Sequence, residues 1–415
     1  MERDPSGQWG MHRGVPALRP GHHLQLLEGS LHLFPAMIAA IDAARAEVLL
    51  ETYIFDFTGS AADIAHALER AARRGVAVRV VVDGFGTPGL PPQWRQRLET
   101  AGVQWLAYSP PGRLGMLVPG QWRRLHRKLC VVDGEVGFCG GINILDDFHD
   151  PNHGVLHSPR LDFAIRVVGP LVGEMRTTMV RQLARIDAMG RLKRAHWLDA
   201  LELWRAADVP HTPARPVPSH GEPDAMAALL LRDNLRFRVG IERAYLRAIG
   251  RAREEIIIAN AYFVPGGRMR RALIRAAERG VKVSLLLQGR YEYFMQYYAA
   301  RPVFGALLQA GCEIHEYAPS FLHAKVAVID GHWATIGSSN LDPLSFLLAR
   351  EANVVVDDRR FAGRLRERLL FAMEHQGQRM DADGYARRSR WQRAKEAVAR
   401  LAMRLAIIVQ GKRYK

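Results

Sequence analysis

Short, nearly unbroken apolar runs alternate along this chain with longer stretches of helical spacing. Residues 48–53 and 76–82 are β-rich runs, and between them Ile64, Leu68 and Ala71 recur at the interval of an amphipathic helix. Strands that are apolar on both faces need cover on both faces. The pattern therefore predicts an α/β fold, with helices packed on either side of a sheet.

The pattern occurs twice. ARAEVLLETYIF (44–55) is similar to AREEIIIANAYF (252–263), and AARRGVAVRVVVDG (71–84) to AAERGVKVSLLLQG (276–289). ETAGVQWLAY (99–108) then matches LQAGCEIHEY (308–317), and LHRKLCVVDGEVGFCGGIN (125–143) matches LHAKVAVIDGHWATIGSSN (322–340). Four pairs in one order imply a duplicated α/β unit. Five prolines between Pro210 and Pro223 cannot continue a helix and mark a linker. The expected organisation is a first domain over 1–207, a linker over 208–223, a second domain over 224–376 and a basic tail over 377–415.

The 415 residues suit two domains of ordinary size, and 48% apolar with 24% charged residues fits folded rather than disordered chains. No run of eighteen uncharged apolar residues exists to span a bilayer. The N-terminal MERDPSGQWGMHRG lacks the apolar centre of an export signal, so the chain is expected to stay inside the cell. Cys130, Cys139 and Cys312 have no paired spacing and read as small buried side chains. The net charge of +16 requires an anionic partner. Only seven of the 58 basic residues are lysines, and two of those seven occupy matching places in the repeat.

Those places are HxKxxxxD segments: His126, Lys128 and Asp133, then His323, Lys325 and Asp330. In each half an asparagine, Asn143 or Asn340, follows the histidine by 17 residues, after Gly140-Gly141 or Gly337-Ser338. Chance would produce about 0.01 such segments here and roughly 10⁻⁴ pairs, so the doubled motif is specific. On a strand His and Lys share a face. Each Asp has the opposite parity and precedes a glycine, so the residues themselves read Asp133 and Asp330 as turn formers. An ammonium and an imidazole on an apolar strand are costly unless compensated. A phosphodiester compensates them: lysines, asparagines and a serine cradle its oxygens, one imidazole attacks phosphorus, and the other carries the proton. Neither metal-ligand spacing nor a nucleotide-binding loop occurs, so no cofactor is expected.

The paired motifs resemble the phospholipase D superfamily, and over roughly residues 25–375 the chain looks like the bacterial cardiolipin synthases of the B type, which lack transmembrane helices. ETYIFDFTG (51–59), HRKLCVVDG (126–134), GGINILDDF (140–148), RLDFAIRVVGP (160–170), NAYFVPG (260–266) and HWATIGSSNLDPLSF (332–346) carry the likeness. The resemblance implies two tandem, pseudo-symmetric α/β/α sandwich domains with the active site at their interface. It implies that His126, Lys128, Asp133, His323, Lys325 and Asp330 form the catalytic set. His126 would be the nucleophile and His323 the acid/base, although the sequence does not decide between them. Asn143, Asn340 and Ser338 would bind the phosphoryl group, and Asp162 and Glu351 would orient the imidazoles. One departure is Ala349, where the family usually has asparagine.

The implied reaction joins two phosphatidylglycerols into cardiolipin and releases glycerol, at the cytoplasmic face of the cell membrane. A hydrolase, a headgroup exchanger, a nuclease and a non-catalytic lipid binder are the alternatives. No nucleic-acid motif or regular aromatic interleaving is present, and no nucleic-acid partner is expected. For membrane contact, Val398, Leu401, Leu405, Ile408 and Val409 form an apolar stripe beside Arg400 and Arg404. Such a helix could instead pack on its own domain. RLGMLVPGQWRR (113–124) is a second candidate, or else a loop over the domain seam.

Overall fold

The computed structural model describes residues 16–110, 112, 123–151, 153–193, 225–233, 239–290, 294–342 and 349–382, with scattered positions between 385 and 402. The expected linker, nearly all of 113–124 and the stripe beyond residue 402 lie outside the described residues.

The first half runs β1 (Arg19–Glu28), α1 (Gly29–Asp42), β2 (Glu47–Thr52), α2 (Gly59–Arg73), β3 (Ala77–Asp83), α3 (Pro92–Ala101) and β4 (Gln104–Tyr108). It continues with β5 (Arg124–Leu125), β6 (Leu129–Val132), β7 (Val136–Gly140), β8 (His149–Asp150), β9 (Gly154–Val155), β10 (Phe163–Val168) and α4 (Leu171–Lys193). The second half runs β11 (Ala225–Arg232), α5 (Gly240–Arg251), β12 (Glu255–Asn260), α6 (Gly267–Glu278), β13 (Lys282–Gln288), α7 (Phe294–Gln309) and β14 (Glu313–Tyr317). It ends with β15 (Lys325–Ile329), β16 (Trp333–Gly337), β17 (Ala349–Asp357), α8 (Arg359–His375) and β18 (Gly377–Arg379).

The two halves share one sheet. From the junction where β1 pairs antiparallel with β11, the order is β1-β10-β7-β6-β2-β3-β4 one way and β11-β17-β16-β15-β12-β13-β14 the other, with β18 beyond β14. Equivalent strands hold equivalent places, so a pseudo-two-fold axis passes through the junction. The repeats noted in the sequence begin after β1 and β11, and this joining pair was not anticipated.

Three cores fill the layers. α1 and α2 cover one face of the first half with Phe34, Ile41, Ile64 and Leu68 buried on β2 and β3. α5, α6 and α7 do the same in the second half with Ile241, Leu273 and Leu307. On the opposite face α4 and α8 contribute Val172, Met175, Leu365 and Leu369 to a single core spanning both halves. The three cysteines are buried, and burial pushes Cys130 and Cys139 up to about 12.

The Asp-Gly turns form as expected. Asp133 and Gly134 have φ of 51° and 69°, closed by Glu135 N–H donating to Val132 O at 2.9 Å. Asp330 and Gly331 repeat this with φ of 49° and 63°. Part of the tail packs on its own domain, since Tyr385 and Ala399 join the second-half core, while Trp391, Val398 and Leu401 stay exposed.

Candidate active site

β2, β3 and β4 are mutually parallel, and β6 runs antiparallel to β2, so the segment leading into β6 lies at the C-terminal ends of the parallel strands. That edge is where open α/β sheets place ligands. His126 and Lys128 sit on this leading segment. In the second half Lys325 opens β15, with His323 two residues earlier.

The two histidine-bearing segments exchange partners across the seam. β5, just before His126, pairs parallel with the start of β17, and His126 N donates to Arg350 O at 3.0 Å. Reciprocally, Leu161 bridges Leu322, and His323 N donates to Leu161 O at 2.9 Å. Each histidine thus faces a carboxylate of the other half. His126 Nδ1 lies 3.1 Å from Glu351 Oε2, and His323 Nδ1 lies 2.6 Å from Asp162 Oδ2. With Nδ1 occupied, each ring's Nε2 is the atom left for chemistry.

Glu351, Asp162, Lys128 and Lys325 are buried, whereas the imidazoles keep 17% and 21% of their side-chain surface exposed. The rings are therefore the reachable surface of a charged cluster. Lys128 Nζ donates to His126 O at 2.9 Å, and Lys325 Nζ to His323 O. Lys128 also stands 5.4 Å from the Tyr53 ring centre, and the Tyr53 ring packs edge-on against His126.

Burial, then the charges of neighbouring lysines, holds His323 well below the usual histidine range. His126 is lowered by burial, partly countered by Glu351. Burial brings Lys128 down to about 7 despite Glu351, and pushes Asp162 up to about 7 against the pull of Lys325. Glu351 is also raised by burial, but His126, Lys128 and Arg232 outweigh this and leave it below the ordinary range. The cluster gathers charge that only an anionic ligand would fully compensate.

Three expected site residues do other work. Asp133 accepts from the backbone N–H groups of Arg45, Ala46 and Glu47, each at 2.8 Å. Asp330 accepts from Arg253, Glu254 and Glu255. Both aspartates thus pin the starts of β2 and β12, at the end of the sheet away from the imidazoles. The Ser338 hydroxyl donates to Glu351 Oε2 at 2.5 Å and accepts from Ala352 N, so it positions the carboxylate. Its counterpart is Gly141, where a Cβ would stand 2.3 Å from Asp162 Oδ1. Asn143 Oδ1 accepts from Ile54 N at 3.2 Å, and Asn340 Oδ1 is buried with no hydrogen-bond partner among the described residues.

Arg232 was missed. It is buried opposite Glu351 in the β11–β17 register, and the equivalent position facing Asp162 is Gly29, whose N–H donates to Asp162 O at 2.9 Å. Nothing in the repeat pointed to it, because it has no counterpart.

Paired histidine-lysine segments meeting at the seam of a duplicated α/β sheet define a phospholipase D-like enzyme. The fold itself is shared with a solved phosphatidylserine synthase of Haemophilus influenzae, which superposes with a TM-score of 0.67, covering 95% of each chain at 11% identity. The family described as "Cardiolipin synthase, PLD-like domain" matches residues 37–156 and 245–370. Cardiolipin synthase B of Escherichia coli (strain K12) is 37% identical over 383 residues, covering 92% of this chain and 87% of its own. Cardiolipin synthase A of Erwinia tasmaniensis is 29% identical, covering 92% and 75%. The chain belongs to the cardiolipin synthase family of phospholipase D-like phosphatidyltransferases.

Proposed function

We propose that the enzyme moves a phosphatidyl group from one phosphatidylglycerol to another through a phospho-histidine, making cardiolipin and releasing glycerol. The observation that carries this reading is the crosswise pairing of His126 with Glu351 and His323 with Asp162, two oriented imidazoles near enough that the charge of one acts on the other. Nε2 of one ring attacks phosphorus, the P–O bond to glycerol breaks, and the second imidazole gives its proton to the departing oxygen. That imidazole then takes the proton of a second phosphatidylglycerol's hydroxyl, whose oxygen displaces histidine as the P–N bond breaks. Lys128, Lys325, Asn143 and Asn340 hold the phosphoryl oxygens. One phosphodiester replaces another, so no nucleotide is consumed. Cofactors have no part in this scheme.

The rings differ in their carboxylates. His126, Lys128 and Arg232 keep Glu351 charged and Ser338 donates to it, whereas Asp162 faces Gly141 and Gly29 and takes up a proton more readily. Asp162 therefore keeps a proton to higher pH than Glu351 does, and can pass it to the ring it holds. His323 is the acid and His126 the nucleophile.

The protein acts peripherally, on the cytoplasmic face of the cell membrane, and its net charge of +16 favours anionic lipid. Incubating purified protein with labelled phosphatidylglycerol tests the reading: cardiolipin and glycerol are expected, and phosphatidic acid as the only product would identify a hydrolase.

A further inference from the structure

Outside the C-terminal tail, the described residues expose five large apolar side chains: Leu31, Phe85, Phe148, Val155 and Phe371. All five lie toward the catalytic edge, four of them in the first half. Leu31 opens α1 where β1 ends, Phe85 follows β3 against Arg124, and Phe148 and Val155 belong to the segment between β7 and β10. Val155 is 79% exposed and Leu31 62%. Scattered exposed apolar residues are ordinary, but this concentration on one edge is not.

The segment carrying Phe148 and Val155 is an addition to the first half. Eighteen residues separate Asn143 from Asp162, against ten between Asn340 and Glu351. It is firmly held. Asp147 accepts from Ser30 N at 2.5 Å at the start of α1, and Asp146 from Ser60 N and Oγ at the start of α2. Arg160 donates to Asp146 O, His149 O and Asp150 Oδ2. β8 and β9 pair as a small hairpin, and His153 packs 5.0 Å from the Phe321 ring across the seam. An added, braced hairpin that keeps Val155 in water is built to meet another surface. Exposed Arg123 stands beside it on a chain of net charge +16, so the surface it meets is apolar within and anionic outside.

We propose that the β8–β9 hairpin, with Leu31 and Phe85, is the face that enters the leaflet of an anionic phospholipid membrane. The hairpin tip sits at the headgroup boundary and presents the cleft to lipids that need not leave the bilayer. This rests on the lipid-transfer reading above and adds the orientation of the protein to it.

Sedimentation with phosphatidylglycerol vesicles tests it. Val155→Asp is expected to lower partitioning ~tenfold or more, since it places a charge at the apolar boundary. The same variant should turn over dihexanoyl-phosphatidylglycerol, below its micelle threshold, within twofold of the unchanged protein. Ala43→Asp, an exposed position at the opposite end of α1, should partition normally. Val155→Trp should show blue-shifted emission on vesicles, quenched by brominated lipid. Unchanged partitioning of Val155→Asp, equal loss in Ala43→Asp, or no spectral shift in Val155→Trp would overturn the proposal. Failure of the unmodified protein to process phosphatidylglycerol in either form would instead reject the lipid-transfer reading.

Discussion

Replacing His323 with alanine should damage the enzyme to an extent set by the leaving group. Its ring is held through Nδ1 at 2.6 Å from Asp162, and its proposed task is to protonate the departing glycerol oxygen. A positioned general acid is worth roughly 10²–10⁴-fold, or ~3–5 kcal/mol of barrier. With phosphatidylglycerol, His323→Ala should lose at least that much. If the headgroup is 4-nitrophenol, the departing phenolate needs no proton, and the first step should survive. Rapid mixing of His323→Ala with this substrate should then release one burst equivalent of nitrophenolate per chain and stall, because no base remains to activate the acceptor. A phosphatidyl adduct on His126 should be recoverable by mass spectrometry. His126→Ala should give no burst with either substrate. A burst from His126→Ala with none from His323→Ala would reverse the roles, and a burst from neither would refute the covalent step.

Gly141→Ala should lower turnover about 10²-fold, because the new Cβ falls 2.3 Å from Asp162 Oδ1 and displaces the carboxylate holding His323. Combining Gly141→Ser with Asp162→Glu copies the Ser338–Glu351 arrangement and should recover part of that loss, as a double-mutant cycle on kcat would measure. Asp330→Ala leaves three backbone N–H groups unanswered and puts alanine at a φ of 49°, costing ~2–4 kcal/mol in chemical denaturation while kcat per folded molecule stays within threefold. With phosphatidylglycerol, kcat/KM should fall as pH rises through about 7. Lys128, lowered to about 7, is charged below that value and neutral above it, and Asp162, raised to about 7, loses its proton in the same range. A flat profile between pH 6.5 and 8.5 would contradict both assignments.

The duplication, the turn role of Asp133 and Asp330 and the histidines were legible because each leaves a local mark: a repeat, a residue parity, a fixed spacing. What the sequence hid was non-local. Asp162 and Glu351 were recognisable as imidazole partners by resemblance, but which served which depended on β5 crossing to β17 and Leu161 to Leu322. Two-residue contacts of that kind carry no periodicity. Ser338 was read as a phosphoryl ligand by resemblance, and only the position of Glu351 shows the hydroxyl donating to that carboxylate. Arg232 was invisible for the opposite reason: pattern matching between the halves rewards similarity, and its counterpart is glycine. Ala349 departs from the family pattern without opening the seam, since its contact there is backbone pairing with Arg124.

The exchange of carboxylates also constrains how such a chain can change over time. Each copy of the duplicated unit has surrendered to its sibling the group that orients its own histidine, so neither could be discarded, borrowed by another gene or improved in isolation. Two once-equivalent copies tied in this way can still drift apart in detail, as Arg232 against Gly29 and Ser338 against Gly141 show, but they must drift as a couple.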